Sequence, residues 1–194
     1  MLEFLVKKRT TFTWLIPVLL LIGSVLYGHW SPKAYLVGIL LLVLGEVIRF
    51  WAAGTIHKDD VVATGGPYGL VRNPLYFGSL LLAAGYSAMS GLPPYAWALV
   101  IGFFTIFHLA AIVYEERFLK TKFGAPYEAY LRSVPRLIPR PWPAKLSGTG
   151  QTTRFSAHQA IINREHITAI VTIATALLFA LALHKDLIGL GGGH

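Results

Sequence analysis

A glycine-rich segment that leads into an apolar stretch carries the densest set of residues that could do chemistry. It reads Gly-Gly-Pro-Tyr-Gly-Leu-Val-Arg-Asn-Pro over residues 65–74. Its glycines allow a tight turn with exposed backbone N–H groups, and Asn73-Pro74 is typical of an N-cap followed by proline in the first helical position. A helix N-terminus beside Arg72 can bind a carboxylate or a phosphate. A capped helix start with an anchoring arginine accounts for the same residues equally well.

Two adjacent acids, Glu115 and Glu116, follow the next apolar stretch. The pattern predicts that they stand at the C-terminal end of a helix, where the macrodipole disfavours each exposed carboxylate by roughly 0.3–1 kcal/mol. We therefore expect a cationic partner. Neighbouring residues on a helix point about 100° apart, so one acid can face the interior while the other meets Arg117, Lys120 or lipid headgroups. The alternative is a solvated charge cluster.

A motif with two tyrosines comes third. Pro126 suits the first turn of a short amphipathic helix, Tyr127 and Tyr130 share one of its faces, and Pro135 ends it. This helix is expected to lie on a membrane surface or to close a pocket. Taken singly, its tyrosines are more often interface anchors than ligand contacts.

These motifs need a scaffold, and the composition indicates which kind. Of 194 residues, 55% are hydrophobic and 13% are charged, against roughly a quarter charged in a soluble domain. Five segments approach the roughly 20 apolar residues that cross a bilayer: 12–28, 34–54, 75–91, 95–114 and 167–184. We expect an all-α, polytopic integral membrane protein with about five transmembrane helices. The chain has no cysteine, which excludes disulfides, cysteine-ligated zinc and a thiol nucleophile.

The basic balance of the chain, 17 Lys and Arg against 9 Asp and Glu with a net charge of +8, follows from this topology. If the five segments cross a membrane, Lys33 and Lys185 lie on one side of it and Arg49 lies within the second segment. The other 14 of the 17 basic residues then lie on the opposite side. By the positive-inside rule, the N-terminus and the long segments 55–74 and 115–166 are cytoplasmic. This face is expected to contact anionic lipid headgroups, and nucleic acid is not needed to explain the charge.

The chain is expected to divide into two parts. Residues 1–140 form a membrane core with four membrane helices and the three motifs, and residues 141–194 form a linker and an additional C-terminal membrane helix. The linker is rich in proline, glycine and serine. A short interfacial helix over residues 156–166 is expected to lead into the last span, whose role stays open at this point.

Glu46 and Arg49 are charged residues inside the second apolar segment. Their spacing of three residues places them on one helix face, so they most simply form an internal ion pair or extend to the interface. A contact with a substrate or cofactor is the lesser possibility.

In this order and at this spacing, the three motifs resemble the isoprenylcysteine carboxyl methyltransferase and phospholipid methyltransferase superfamily of integral membrane enzymes. The approximate family pattern is Gly-Pro-Tyr-x-x-Val-Arg-His/Asn-Pro-x-Tyr-x-Gly, then a helix that ends in Glu-Glu, then Phe-Gly-x-x-Tyr-x-x-Tyr and Val-Pro-Arg-Leu-Ile-Pro. It is matched by residues 66–78, 115–116, 123–130 and 134–139. The resemblance covers about residues 55–139, and the residues before it agree only as hydrophobic segments.

The resemblance implies S-adenosylmethionine bound at the cytoplasmic face of the third and fourth helices, with a membrane lipid or lipidated methyl acceptor that arrives from the bilayer. Arg72 and Glu116 are the residues that it implies in catalysis. The cofactor-binding residues that it implies are Leu70, Val71, Arg72, Asn73, Tyr76, Glu115, Glu116, Tyr127 and Tyr130. No metal is implied, because methyl transfer is a direct displacement that positioning can accelerate.

The groups of this cofactor match those side chains. Arg72 and the helix N-terminus suit its carboxylate, and Glu115 or Glu116 suits its ammonium group or ribose hydroxyls. The tyrosine rings or hydroxyls suit the sulfonium or the adenine. Leu70 and Val71 can supply backbone groups and apolar contact.

Asn73 stands where many members of the superfamily have histidine. Asparagine keeps a hydrogen bond but cannot hold a proton, so no acid–base role is transferred to it. An ammonium acceptor needs a base, for which Glu116, His57 and His108 are candidates if geometry allows. His57 is more simply part of an interfacial turn, and His108 serves equally well in helix packing.

The acceptor stays open between a phospholipid amine, an isoprenylcysteine carboxylate and a small thiol. Two other classes of protein compete with a methyltransferase. An NADPH-dependent membrane reductase similar to the sterol reductases would be expected to have many more spans. A non-enzymatic scaffold or small transporter leaves the clustering of Arg72, Glu115 and the tyrosines unexplained. Oligomeric state is not indicated by the sequence.

Overall fold

The computed structural model describes residues 2–29, 31–56, 62–144 and 154–187, with side chains at residues 15–182 and 184 within those ranges. Over this part the chain is all-helical, which confirms the expected class. One short 3₁₀ turn covers Gly66–Gly69. The α-helices are α1 (Leu2–Tyr27), α2 (Pro32–Thr55), α3 (Pro74–Met89), α4 (Pro94–Phe123), α5 (Ala125–Ser133), α6 (Ala157–Ile162) and α7 (Glu165–Leu187).

Each of the five predicted apolar segments corresponds to one of these helices. Three stretches are long and apolar enough to cross a membrane: Pro32–Thr55, Pro94–Phe123 and Glu165–Ala182. The apolar part of α1 with described side chains is shorter, at Leu15–Tyr27. The 16 residues of α3 rise roughly 24 Å, less than the thickness of a typical hydrocarbon core. Within the described ranges, length therefore supports three spans, and the count of five stays a prediction.

The α1–α2 turn and the α3–α4 turn contact each other at one end of the bundle. The backbone N–H of His29 donates to the carbonyl oxygen of Gly91 at 2.9 Å. Gly91 has a φ of +62°, a conformation that favours glycine. A Cβ at Gly28 would lie 2.6 Å from the carbonyl oxygens of Ser24 and Ser90. The two helical hairpins are thus joined where only a glycine backbone fits.

Helices α2 and α3 approach so closely that backbone meets backbone. A Cβ at Gly45 would lie 2.8 Å from the carbonyl oxygen of Gly78, and the reverse distance is also 2.8 Å. Two turns away, a Cβ at Gly38 would lie 2.7 Å from the carbonyl oxygen of Gly85. Small residues at the interface between membrane helices allow this close van der Waals packing.

The main apolar core surrounds this contact and includes the C-terminal helix. Its buried members come from α1, α2, α3 and α7: Leu20, Leu42, Leu82, Tyr86, Met89 and Phe179. The rings of Tyr86 and Phe179 stack with centroids 6.4 Å apart. Helix α7 therefore packs directly against the helices of the membrane core.

Arg49 pairs with this C-terminal helix, so the predicted internal ion pair with Glu46 is wrong. Arg49 Nε donates to Glu165 Oε1 at 2.6 Å. Glu46 Oε1 instead accepts a hydrogen bond from Thr172 Oγ1 at 2.6 Å. On an isolated helix, the spacing along α2 would favour a pair between Glu46 and Arg49. In the folded chain, the Glu165 carboxylate on α7 forms two contacts with the guanidinium, and this partner cannot be read from the sequence of α2.

Helix α4 continues to Phe123, beyond the predicted end at residue 114. Glu115 and Glu116 therefore lie about two turns before its C-terminus, and the helix-dipole argument for a cationic partner loses its basis. Gly124 ends the helix with a φ of +61°. The predicted amphipathic helix follows directly as α5, with Pro126 in its first turn.

The predicted helix over residues 156–166 is shorter and is followed by a break. Helix α6 ends at Ile162, and Arg164, with a φ of +60°, separates it from α7. Asn163 Nδ2 donates to the carbonyl oxygens of Ala53 at 2.7 Å and of Ile56 at 3.1 Å. The break thus supplies a donor to carbonyl groups that the end of α2 leaves unpaired.

The glycine contact yields a stability prediction. We expect Gly45→Ala to destabilise the fold by about 1–3 kcal/mol, because the new methyl group would overpack against the backbone of α3. Gly102→Ala on α4 is the matched control, since a Cβ there would meet nothing within 4 Å. Unfolding of both variants in detergent, followed by circular dichroism, measures the difference. Equal stability of the two variants would contradict the close α2–α3 packing.

Candidate active site

A cavity of about 140 Å³ lies where the C-terminal end of α2, the first turn of α3, the last turns of α4 and helix α5 meet. Seven of the nine residues expected to bind a cofactor line it: Arg72, Asn73, Tyr76, Glu115, Glu116, Tyr127 and Tyr130. Leu70 and Val71 do not line it, and Val71 is only 2% exposed. Three motifs that are distant along the chain thus share one cavity.

In the glycine-rich turn, backbone N–H groups that we expected to be exposed form hydrogen bonds within the turn itself. The N–H groups of Leu70 and Val71 both donate to the carbonyl oxygen of Pro67, at 3.1 Å each. Gly66 has a φ of +54°, which starts the 3₁₀ turn in a conformation that favours glycine. The turn is therefore closed on itself, and Leu70 and Val71 contribute to its shape.

Residues 135–144, which we call the strap, run beside the glycine-rich turn. Their link to the turn is made of backbone hydrogen bonds of 2.8–3.1 Å: Arg72 N to Pro135 O, Arg140 N to Leu70 O, and Ala144 N to Gly69 O. Because the strap follows α5, these bonds fix the third motif against the first.

Asn73 occupies the predicted N-cap position of α3, but its side chain does not cap the helix. Nδ2 instead donates to the carbonyl oxygen of Arg136 at 2.9 Å. Leu75 and Tyr76, whose N–H groups have no acceptor within the helix, line the cavity. Asn73 thus ties the first turn of α3 to the strap.

Glu116 is the electrostatic centre of the cavity and is only 7% exposed. Arg136 contacts Glu116 Oε2 through Nη2 at 2.8 Å and through Nε at 3.1 Å. On the other side, Arg72 Nε lies 3.5 Å from Glu116 Oε1. A carboxylate this buried requires paired positive charge, and two guanidinium groups provide it. Glu115 lines the same cavity on the neighbouring side of α4.

Arg136 is the residue that the sequence reasoning missed. It belongs to the Val-Pro-Arg-Leu-Ile-Pro segment, which was used as a motif without a role for its arginine. The available signal was the Glu115-Glu116 pair itself, because a carboxylate that becomes buried requires a cationic partner wherever it stands on its helix. That partner was sought at neighbouring positions along the helix, Arg117 and Lys120, whereas it lies 20 residues away from Glu116 in the strap.

Three tyrosines form a buried wall of the cavity. Tyr130 OH donates to the carbonyl oxygen of Tyr68 at 2.8 Å, and the rings of Tyr127 and Tyr130 have centroids 5.9 Å apart. Burial, with the nearby charge of Glu116, raises the pKa of Tyr127 to about 12. Burial also raises the pKa of Tyr68 and of Tyr130 above its ordinary value. All three hydroxyls are therefore neutral at physiological pH and act as donors or acceptors, not as bases.

Two residues that line the cavity each carry a buried polar atom without a hydrogen bond. Within the described part of the chain, neither Tyr68 OH nor Arg72 Nε has a hydrogen-bond partner. An unsatisfied buried donor costs about 1–3 kcal/mol, which a polar ligand in the cavity would recover. The lining carries both a guanidinium and carboxylates. Across the described ranges, no three His, Asp or Glu side chains group together as a metal site.

His108 lies beside the cavity on α4, behind Tyr76. Its ring contacts the Tyr76 ring edge-on with centroids 5.3 Å apart and stacks on Phe104 at 3.7 Å. Nδ1 is 2.8 Å from the carbonyl oxygen of Phe104. A carbonyl only accepts, so Nδ1 carries a proton, and Nε2 of the neutral ring is then an acceptor. The other candidate base, His57, lies outside the described residues.

Comparison with known proteins gives consistent relatives. A family model described as phospholipid methyltransferase matches residues 33–126. The cobalt-zinc-cadmium resistance protein CzcN of Cupriavidus metallidurans is 34% identical over 71% of this chain and 67% of its own length. Protein-S-isoprenylcysteine O-methyltransferase B of Arabidopsis thaliana is 29% identical over 71% of this chain and 77% of its own length. No solved structure shows significant similarity to the chain.

A shorter similarity, 42% identity over 38% of this chain and 27% of the relative, is to methanethiol S-methyltransferase 2 of Bradyrhizobium diazoefficiens. The region of the family model runs from the start of α2 into α5 and includes the first two motifs. The motif order agrees with the family model and with the two relatives that are named methyltransferases. The chain belongs to the phospholipid and isoprenylcysteine methyltransferase superfamily of membrane enzymes.

Proposed function

We propose that the protein transfers a methyl group from S-adenosylmethionine to a lipophilic or membrane-embedded acceptor. The observation that carries this proposal is the cavity in which Arg72, Glu115 and Glu116 meet a tyrosine wall at the end of an apolar helix bundle. The cofactor supplies a methyl group on a sulfonium, which needs positioning and not an external activating metal. The protein's task is therefore to hold the donor and the acceptor in line.

The charges of the cavity support distinct roles for its side chains. Arg72 and the first-turn N–H groups of α3 would hold the carboxylate of the cofactor. Glu115 would hold its ammonium group or ribose hydroxyls. Glu116 already accepts from Arg136 and lies beside Arg72, so its proposed contribution to catalysis is to keep Arg72 oriented. Tyr76, Tyr127 and Tyr130 would offer neutral aromatic faces to the sulfonium or the adenine.

The lipid side of the cavity supports an acceptor that arrives from the bilayer. Leu75 and Tyr76 begin α3 at the cavity, and the helices beyond them are apolar. We propose an isoprenylcysteine carboxylate or a phospholipid amine as acceptor, with a small thiol as the alternative. In the transfer, a lone pair of the acceptor forms the bond to the methyl carbon while the carbon–sulfur bond breaks and its electron pair stays on sulfur.

An amine acceptor sets a further requirement, because an ammonium group has no lone pair until it loses a proton. We propose His108 as that base, acting from behind Tyr76 and not from the cavity lining, because Nδ1–H donation to Phe104 makes Nε2 the acceptor atom of its ring. A carboxylate acceptor needs no base. The acceptor class therefore determines whether His108 matters for the reaction.

We propose that the cavity faces the cytoplasm and rests near anionic headgroups. The distribution of basic residues supports this orientation, because most of them, including the exposed Arg132, are predicted to lie on the side of the cavity. The exposed Lys33, at the start of α2, is predicted to lie on the opposite side.

The binding roles predict a selective loss of cofactor affinity. We expect Arg72→Ala and Glu115→Ala each to weaken binding by roughly 10- to 100-fold, because each removes a charge-assisted hydrogen bond worth about 1.5–3 kcal/mol. Arg132→Ala and Glu128→Ala are the controls, since Arg132 is exposed and Glu128 forms an exposed pair with Lys120. Calorimetric titration of the detergent-solubilised protein measures affinity. Normal affinity in both cavity variants, or binding of NADPH instead, would refute these roles.

The acceptor class can be identified with labelled cofactor. We expect purified protein to transfer radiolabel to a component of a total lipid or prenylated-peptide extract. If the acceptor is an amine, His108→Phe should slow transfer at least about 100-fold, the usual contribution of a general base. If it is a carboxylate, His108→Phe should leave the rate nearly unchanged. Transfer to no lipid, prenylated peptide or thiol would overturn the proposed activity.

The proposed orientation can be tested because the chain has no cysteine of its own. We expect a membrane-impermeant maleimide to label Lys33→Cys in intact cells and to label Arg132→Cys only after permeabilisation. Both positions are exposed. Labelling of Arg132→Cys in intact cells would place the cavity on the outer face.

A further inference from the structure

The C-terminal helix is connected to the wall of the cavity through one partly buried arginine. Arg49 on α2 and Glu165 at the start of α7 form a two-pronged ion pair, with Nε to Oε1 at 2.6 Å and Nη2 to Oε2 at 3.1 Å. Their side chains are 16% and 5% exposed. Charge-assisted contacts with this geometry are directional as well as strong, so the carboxylate determines where the guanidinium points.

The same guanidinium holds the first turns of α3. Arg49 Nη1 donates to the carbonyl oxygen of Leu75 at 3.3 Å and to Ser79 Oγ. Ser79 Oγ in turn donates to the same Leu75 carbonyl at 3.0 Å. Leu75 lines the cavity, next to Asn73 and Tyr76. The guanidinium therefore connects α7 to the wall of the cavity.

Two local features keep this connection in place. Gly78 has no side chain, and a Cβ there would lie 2.5 Å from Arg49 Cγ, so the arginine stem passes along α3 only because Gly78 leaves room. Asn163, two residues before Glu165, donates to the carbonyl oxygens of Ala53 and Ile56. The start of α7 is thus attached to the end of α2 at a second point beside the ion pair.

A competing acceptor for Arg49 lies one turn away on its own helix. Glu46 Oε1 accepts from Thr172, but Glu46 Oε2 is buried and has no hydrogen-bond partner within the described ranges. Without the carboxylate of Glu165, the partly buried guanidinium would lose its ion pair and keep only hydrogen bonds to neutral groups, which is unfavourable in a membrane interior. Movement toward Glu46 would relieve this and would withdraw Nη1 from Leu75 and Ser79.

We propose that Glu165 is a positioning residue for the methyl-donor site, acting through Arg49 on the first turn of α3. This inference rests on the proposed function of the cavity. It gives a role to the C-terminal helix, which lies outside the region matched by the family model. Glu165 itself does not line the cavity, so its effect is on the geometry of the residues that do.

The test compares Glu165→Gln with Glu46→Gln, which makes the same chemical change one turn from Arg49. The hydrogen bonds of Glu46 reach α3 through Thr172 at Tyr86, in the last turn of α3 and away from the cavity. We expect Glu165→Gln to raise the Kd for S-adenosylhomocysteine and the KM for the methyl donor about tenfold. Glu46→Gln should leave both near the wild-type values. A purely structural role of Glu165 would instead lower the active fraction, and hence the apparent kcat, at unchanged donor KM and Kd, which would overturn the proposal.

A second variant covers the case in which Glu165→Gln does not fold. Ser79→Ala keeps the ion pair and removes only one attachment to α3, and we expect it also to raise the donor Kd. Hydrogen exchange of residues 76–80 gives a readout independent of activity: faster exchange in Glu165→Gln than in Glu46→Gln is expected. Equal exchange and equal donor affinity in all variants would refute the inference.

The two proposals fail in different ways. If the wild-type protein binds neither S-adenosylmethionine nor S-adenosylhomocysteine, the proposed function fails, and the positioning role toward that donor fails with it. If the wild type binds the donor and both Glu165→Gln and Ser79→Ala bind it equally well, only the positioning role fails.

Discussion

The close contact of α2 with α3 is the constraint on which the rest of the structure depends. Gly45 and Gly78 approach through their backbones, so the end of α2 lies directly against the first turns of α3. Only at this separation can the stem of Arg49 pass along α3 and place its guanidinium on the carbonyl of Leu75. A larger residue at the contact would separate the two helices whose ends form one side of the cavity. In lipid, where apolar side chains gain little by leaving their surroundings, such packing is a main source of helix association.

A second constraint is the burial of Glu116. A carboxylate that is 7% exposed beside an apolar bundle requires compensating charge, and Arg136 brings it from the strap. Backbone hydrogen bonds then attach the strap to the glycine-rich turn, and Asn73 adds a side-chain bond to the same segment. Charge compensation and backbone pairing thus close the cavity with residues from all three motifs, and Tyr68 OH and Arg72 Nε have no hydrogen-bond partner within the described ranges.

The polar network between α2, α3 and α7 shows how the chain handles charge inside an apolar bundle. Arg49 and Glu165 satisfy each other, and Tyr86 donates through Thr172 toward Glu46. Every charged member faces another helix, as expected for ionisable groups at membrane depth. The network includes the first turns of α3. It therefore connects α7, which lies outside the region of the family model, to the wall of the cavity.

Much of the fold could be predicted because it is encoded locally. Apolar runs specify the helices, Pro126 and Gly124 mark the start of α5, and motif residues from 72 to 130 could be grouped before any contact was known. Four features could not be predicted: the partner of Arg49, the length of α4, the bond of Asn73 to the strap and the role of Arg136. Each of these depends on which segments meet in space. By itself the sequence determined the helices and the chemical types of the site, since both follow from side-chain pattern. Tertiary structure alone decided which charge pairs with which, since a buried ion takes the partner that is nearest in three dimensions and not along the chain.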